Sequence, residues 1–403
     1  MLLKREGKES APVTVVHIIT TMELGGAQQN TLYTVSHLDP KRYRAVLLAG
    51  PEGILWTEVR QLDAVSVYCI DSLQRRIHPI RDLVATWQIF RILWLLKQRS
   101  PLIIVHTHSS KAGVLGRFAA RVAGVSVSIH SIHGFAFHNQ QPAMLKRALI
   151  AVEWVMAQIT TRFIAVSQAN IMQGESLGFF RRAGVNLIRS GIDLSPRQLG
   201  NEDAVRMRQS LGVSNSVALV GMVACLKPQK APLDFVRLAA YVRDEISDVR
   251  FILVGDGELR AEVEMLICKL GLERTVILLG WRRDIPEILH ALDVFVLTSR
   301  WEGLPRAVLE AIASGTPVVA TAVDGTIEAL KGIDEGRHGD LVASGDLSTM
   351  ADRVIRIIKC QSDVPTKSCV GRVIPDEFDI KAMVRQQMQL YDELLRTKYH
   401  ETV

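Results

Sequence analysis

Short, uninterrupted apolar runs alternate with longer stretches of helical periodicity along most of this chain. VTVVHII (Val13–Ile19), AVLLAG (Ala45–Gly50), LIIVHTH (Leu102–His108), VSVSIHS (Val125–Ser131) and RFIAVS (Arg162–Ser167) predict buried strands. Between them the spacing predicts helices, Ala27–Leu38 and Pro79–Arg99 among them. The alternation restarts with VALVGMVA (Val217–Ala224), VRFILVGDG (Val249–Gly257), TVILLG (Thr275–Gly280), DVFVLTS (Asp293–Ser299) and PVVAT (Pro317–Thr321). Strands that are apolar at every position are covered on both faces, and intervening helices make their sheets parallel. Two such series predict two doubly wound α/β domains, with a hinge in the polar stretch SPRQLGNEDAV (Ser195–Val205). Open α/β sheets bind ligands beyond the carboxyl ends of their strands. The expected site is therefore a cleft where the two sets of strand ends face each other. DEFDIKAMVRQQMQLYDELL (Asp376–Leu395) predicts a terminal helix.

Two of the predicted strand ends carry candidate chemistry. The first strand runs into TTMELGGAQQN, where Gly25 and Gly26 let the backbone approach a ligand and the following helix offers its amides to an anion. The Gly pair alone is a weak signal and fits an ordinary tight turn better. TSRWEGLPRAVLEAIASGTPVV is more informative. It places Glu302 after a strand and Glu310 eight residues later, on a helix that Leu304-Pro305 opens. With Gly303 before it, that helix N-terminus can hold a diphosphate. Glu310 has two acceptor oxygens, enough for both hydroxyls of a ribose. A glycosidase pair is disfavoured: eight residues of helix span about 12 Å, whereas glycosidase carboxylates stand roughly 5–9.5 Å apart.

Composition narrows the partners. The 403 residues are 48% hydrophobic and 22% charged, which excludes disorder and collagen-like repeats. Five scattered cysteines without a C-x-x-C pair describe no disulfide framework and suit a reducing cytosol. The segment MLLKREGKESAP is charged where a signal peptide needs its apolar core, and no window is apolar enough to span a bilayer. The net charge of +6 is uneven: residues 1–200 hold 23 basic and 12 acidic side chains, and residues 201–403 hold 25 and 30. Between Asp82 and Glu153 no acidic residue occurs, while Arg91, Lys97, Arg99, Lys111, Arg117, Arg121, Lys146 and Arg147 do. The first half is thus expected to meet something anionic. Leu83, Trp87, Phe90, Leu93, Trp94 and Leu96 recur at helical spacing and predict a core-facing helix. The alternative is a Trp- and Arg-bearing surface that touches lipid, helped by Arg75, Arg76, Arg81, Arg181 and Arg182. Nucleic acid is not expected, because aromatic–basic interleaving is missing. His106 and His108, with His130, His133 and His138, raise a zinc site, which the lack of a joining Cys or carboxylate disfavours.

The E-x7-E segment EGLPRAVLE occurs with GGAQQN, HTHSSKAGVLGRFAARVAG, HGFAF, IRSGID, LKPQKAPLDF, LVGDGEL and LLGWRRDI in a specific order. From about Val13 to Leu395 the chain resembles the retaining glycosyltransferases of family 4. Those enzymes have the GT-B fold, two facing Rossmann-like domains. The HTHSSKAG and HGFAF forms look most like bacterial enzymes of exopolysaccharide, capsule or O-antigen synthesis. The resemblance implies a disordered tail at 1–12, an acceptor-binding domain at 13–195 and a hinge at 196–205. A nucleotide-sugar-binding domain at 206–375 and a helix at 376–403 crossing back to the first domain complete it.

The implied reaction moves a sugar from a nucleotide diphosphate donor to an acceptor hydroxyl with retention, the acceptor being a saccharide or lipid-linked saccharide. The nucleotide sugar is a substrate, and no cofactor or metal is expected; no D-x-D motif occurs. Gly26, beside Gly25, would approach the donor phosphate, and His133 would lie beside the reacting sugar. Lys230 would contact the diphosphate. Glu302 would bond sugar hydroxyls, flanked by the amides of Gly303 and Leu304, and Glu310 would hold the ribose. Backbone near Arg282 and Arg283 would read the base. Where the family has an Arg, this chain has Cys225, which lacks the charged fork that grips phosphate, and Lys227 is the possible substitute. Near the end, Glu328 is kept, but His338-Gly339 replaces the usual Asn-Gly. The expected location is the cytoplasm, with possible contact at the inner membrane's cytoplasmic face. Epimerases and phosphorylases of the same fold, or a non-catalytic sugar-nucleotide-binding subunit, remain alternatives.

Overall fold

The structure is a computed structural model that describes residues 12–100, 102–138, 140–195, 199–331, 339–362 and 374–400. The tail expected at 1–12, residues 196–198 of the expected hinge and His338 fall wholly or almost wholly outside the described residues. Thirteen strands are described. They are β1 (Val13–Ile19), β2 (Tyr43–Ala49), β3 (Ser66–Cys69), β4 (Ile103–His108), β5 (Val127–Ile132), β6 (Arg162–Ala165), β7 (Val185–Leu187), β8 (Ala218–Val223), β9 (Val249–Val254), β10 (Val276–Gly280), β11 (Val294–Leu297), β12 (Val318–Thr321) and β13 (Gly339–Val342). They form a seven-stranded sheet in the order β3-β2-β1-β4-β5-β6-β7 and a six-stranded sheet in the order β10-β9-β8-β11-β12-β13. Every pairing within each sheet is parallel. This is the doubly wound order of Rossmann-like domains, with a switch point between β1 and β4 and another between β8 and β11.

The chain divides into two compact units. The first comprises residues 1–165, 171–188 and 383–403, and the second comprises residues 166–170 and 189–382. The division thus falls at Ile188/Arg189, upstream of the Ser195–Val205 stretch expected from polarity. The reason is local: Arg189 pairs with Glu328 at 2.6 Å and with Glu377 at 3.0 Å, which ties it to the second unit. Residues 201–210 are helix rather than hinge. The last helix, Ile380–His400, joins the first unit from Met383 onward.

The ten predicted strands all form, because parallel β-structure covered on both faces needs continuous apolar sequence. Val16, Ile18, Val46, Leu48, Ile104 and Val105 are fully buried in the first unit; Val220, Phe251, Leu253 and Phe295 are fully buried in the second. Each such side chain contributes about 1.5–3 kcal/mol of burial free energy. The strands without a predicted counterpart, β3, β7 and β13, are three or four residues long, and β3 and β7 are only partly covered.

Helix Ser110–Val122 lies between Pro79–Arg99 and Ala143–Ala157. A Cβ at Gly113 would stand 2.4 Å from the His130 ring, so glycine there lets the helix approach the sheet. Arg117, from the acid-free stretch, is fully buried and forks onto Glu153 at 2.8 and 3.0 Å. Lys111 pairs with Asp82, and Lys97 donates to the Gly124 carbonyl at 2.6 Å. Part of the expected anion-facing charge is therefore spent inside the fold. The predicted core stripe of Pro79–Arg99 is also split. Ala85, Ile89, Leu93 and Leu96 face the core, whereas Leu83, Trp87 and Trp94 are exposed together with Ile80, Val84 and Leu95.

Candidate active site

In the second unit the loops after β8 and β11 meet at the switch point. Residues 228–230 make one 3₁₀ turn, opened by Pro228, and Ala231 follows with a left-handed backbone at φ 46°. Thr298 Oγ1 donates to the carbonyls of Lys230 and Ala231, each at 3.0 Å. Arg300 N donates to the Gln229 carbonyl at 2.8 Å, and Gln229 Nε2 donates to Trp301 O at 2.9 Å. These bonds hold two loops in one register and bring Lys230 into an ion pair with Glu302. Glu302 is buried and also accepts from Ser299 Oγ at 2.6 Å. Its backbone N–H donates to Asp324 at 2.9 Å. Asp324 can reach there because Gly325 follows it: a Cβ on Gly325 would stand 1.9 Å from the Gly303 carbonyl.

The helix expected to open at Leu304-Pro305 begins one residue later, at Arg306, with Pro305 as its N-cap. Glu310 is the fifth residue of this helix, just over one turn from its start. Gly303 and Leu304 are buried beneath this N-terminus, and Val308, Leu309, Ala311 and Ile312 anchor the helix on its core side. Arg306 donates to Glu310 at 3.2 Å and fixes the carboxylate from its own helix. After β10, Arg282 is clamped to Asp284 at 2.8 Å, which holds that carboxyl below its ordinary range, while Arg283 is exposed. Cys225 is a half-buried thiol at the β8 end, and the Lys227 N–H donates to its carbonyl at 2.8 Å. Glu328 is used structurally: it accepts from the amides of Gln168 and Ala169 at 2.9 and 2.8 Å, besides pairing with Arg189.

The first unit presents different chemistry at its own switch point. Gly25 is the N-cap of helix Gly26–His37, which has no side-chain cap and no acidic residue in its first turn. The preceding loop is fixed by Met22 N donating to Glu52 O at 2.7 Å. His133, just past β5, bonds His108 at 3.2 Å. His108 bonds His17 at 2.9 Å, and His106 bonds Ser131 at 2.7 Å and Tyr391 at 2.6 Å. Burial pushes His133 down to about 4 and His17 down to about 3, and it also depresses His106 and His108. The metal-type cluster is therefore His17, His106 and His108, whose ligand atoms lie within 4.8 Å of one another. His130 instead bonds Thr107 at 2.9 Å.

Comparison with known proteins bears on both units. A family model described as "Glycosyl transferases group 1" matches residues 215–360, and one described as "Glycosyl transferase 4-like domain" matches residues 25–179. A UDP-Gal:alpha-D-GlcNAc-diphosphoundecaprenol alpha-1,3-galactosyltransferase from Escherichia coli is 30% identical over 390 residues, covering 96% of this chain and 98% of that protein. The chain belongs to this glycosyltransferase family. Also similar to this glycosyltransferase is the putative glycosyltransferase EpsF of Bacillus subtilis, 26% identical over 77% of this chain and 79% of that protein. The crystal structure of Anabaena Alr3699/HepE in complex with UDP-glucose matches with a TM-score of 0.77 at 23% identity, covering 94% of this chain and 99% of that one. WaaG, a glycosyltransferase involved in lipopolysaccharide biosynthesis, matches with a TM-score of 0.74 at 14% identity, covering 94% and 99%. The fold is GT-B.

The residues that sequence reasoning missed in this glycosyltransferase are Ser299, Asp324, Arg306, His17 and Tyr391. Arg306 was visible as an i, i+4 partner of Glu310. Asp324 was not, because no spacing rule connects it to Glu302 across 22 residues. His17 lay unremarked inside an apolar run, and only the β1–β4 register, which sets it opposite His106, reveals it.

Proposed function

We propose that this glycosyltransferase moves a hexosyl group, with retention, from a UDP-sugar to a saccharide carried on a polyprenyl diphosphate, in cell-surface polysaccharide synthesis. The observation that carries the donor half is the Lys230–Glu302 pair beside the N-terminus of helix Arg306–Ala313. A bound diphosphate takes up the Lys230 ammonium and the uncapped helix amides, which neutralise the leaving group. Glu302, released from Lys230, accepts from sugar hydroxyls, and Glu310 holds the ribose. Gly25 and Gly26 bring uncapped amides to the phosphates, and His133 bonds the reacting sugar. Backbone around Arg282 and Arg283 reads the base, with Cys225 and Lys227 near the phosphates. The departing diphosphate itself takes the acceptor proton, so no protein nucleophile is required and no cofactor enters.

UDP-galactose is the first donor to try, since the Escherichia coli relative of near-equal length is named for it. The decisive experiment incubates purified enzyme with a panel of UDP-sugars and GlcNAc-diphosphoundecaprenol, and follows product by mass spectrometry and its anomeric configuration by NMR. Inverted product, or turnover only with free phosphate, would sink the reading.

Membrane contact belongs to the same proposal. Among the described residues no helix is long and apolar enough to cross a membrane. Helices Pro79–Arg99 and Ala143–Ala157, however, expose Ile80, Leu83, Trp87, Met144 and Trp154 beside Arg81, Arg91 and Arg147, and Arg91 stacks on Trp87 at 5.6 Å. Such a face suits an anionic bilayer interface. Neutralising Arg75, Arg76 and Arg81 together should reduce cosedimentation with anionic vesicles while leaving UDP binding unchanged. Undiminished sedimentation would remove these residues from the contact.

A further inference from the structure

Six polar side chains form one continuous line inside the first unit. Ser131 Oγ meets His106 Nε2 at 2.7 Å, and His106 Nδ1 meets Tyr391 Oη at 2.6 Å. Tyr391 Oη meets His17 Nε2 at 3.5 Å, and His17 Nδ1 meets His108 Nε2 at 2.9 Å. The line ends where His108 Nδ1 meets His133 Nε2 at 3.2 Å. All but His133 are buried. No carboxylate or cation takes part, and burial keeps the imidazoles uncharged, so each ring carries one proton.

The Tyr391 hydroxyl also meets Gln387 Oε1, at a slack 3.5 Å; with its proton directed along the line instead, counting donors leaves two arrangements. In one, every hydrogen points towards His133, which then carries its proton on Nδ1. In the other, every hydrogen points towards Ser131, and His133 carries its proton on Nε2 with Nδ1 bare. A mixed arrangement sets two donors or two lone pairs against each other in a water-free interior, at a cost of about 1–3 kcal/mol for each group left unsatisfied. The tautomers are therefore coupled along the line. Tyr391 selects between them: a phenol is the better donor, and its 2.6 Å contact with His106 has the length of an O–H donor bond, whereas the 3.5 Å contact with His17 is slack.

We propose that Tyr391 is a positioning residue, whose hydroxyl donates to His106 and, through His17 and His108, holds His133 in the Nε2–H tautomer with a bare Nδ1 acceptor for a sugar hydroxyl. Metal binding by His17, His106 and His108 is the competing use of these rings. It would have to break the 2.9 Å His17–His108 bond and one of the two His106 bonds.

The inference rests on the reading of His133 as a donor-sugar residue, so the test separates the two. Full-length enzyme with ¹⁵N-labelled histidines is examined by two-bond ¹⁵N–¹H correlation without substrate, and His133→Gln identifies the His133 signals. Wild-type protein should show His133 protonated on Nε2. Tyr391→Phe should convert part or all of that signal to the Nδ1–H form and lower kcat several-fold at unchanged donor KM. Ser131→Ala, which removes the terminal acceptor, should shift it in the same direction by less, and it serves should Tyr391→Phe fail to fold. A His133 tautomer identical in wild type and variants overturns the proposal, as does stoichiometric zinc retained by purified protein. A changed tautomer with unchanged kcat upholds the line and removes His133 from the reaction.

Discussion

At the switch point of the second sheet a lysine and a glutamate meet as an ion pair, whereas at that of the first sheet histidines meet without a counter-charge. Both places have the same topological origin: adjacent strands whose following loops diverge. What differs is the state in which each waits. The second unit holds opposite charges that a diphosphate can exchange with. The first holds uncharged rings whose information is the direction of their hydrogen bonds. Charge complementarity suits the anionic leaving group, and a directional neutral network suits the hydroxyls of a sugar.

Three tests separate these two modes, the first having the largest expected effect. Lys230→Ala should lower kcat/KM by about 10²–10³-fold, the usual effect of removing one preorganised donor from developing negative charge. Nucleotide release measures it, and a loss under tenfold would mean that the ion pair is not where the diphosphate sits. Glu310→Ala should weaken UDP binding in calorimetry by about 1.5–3 kcal/mol, the range for hydrogen bonds to a charged group. It should leave kcat nearly intact, and a fall in kcat alone would contradict the ribose assignment.

The smallest effect concerns acidity. His17 at about 3 and His133 at about 4 stay neutral in the folded chain, while unfolded imidazoles take up protons near 6.5. Below that value the unfolded state binds more protons, so stability falls as pH drops from about 6.5 towards 4, at no more than about 1.4 kcal/mol per pH unit for each histidine. Above pH 6.5 this contribution is fully present, and kcat should show no imidazole titration between pH 6 and 8. Denaturation midpoints across pH 4–8 check the first statement. A kcat inflection near 6.5 would show that His133 is more exposed to water than its surroundings imply.

The sheet strands were legible because their apolar runs are continuous; β3 and β7 were not, being short and half covered. Lys230, Glu302 and Glu310 were legible as a motif, but the pairing of Lys230 with Glu302 was not, since it depends on Thr298 and Gln229 clamping two loops. Charge counting misread Arg117, because a sum along the chain cannot distinguish a surface cation from one buried against Glu153. Tyr391 was out of reach, 285 positions from the imidazole it touches.

That distance has a consequence for how the protein is made. Strands β1 and β4 leave the ribosome early, but the hydroxyl between His106 and His17 arrives only with helix Ile380–His400. The same helix brings Asp392, which pairs with Arg42 and accepts from Tyr43. Until residues 383–400 emerge, the first sheet stands with a gap in its polar interior. The first unit therefore reaches its native state last, after the second has been synthesised in full, and a nascent chain cannot hold a finished histidine line ahead of the second unit.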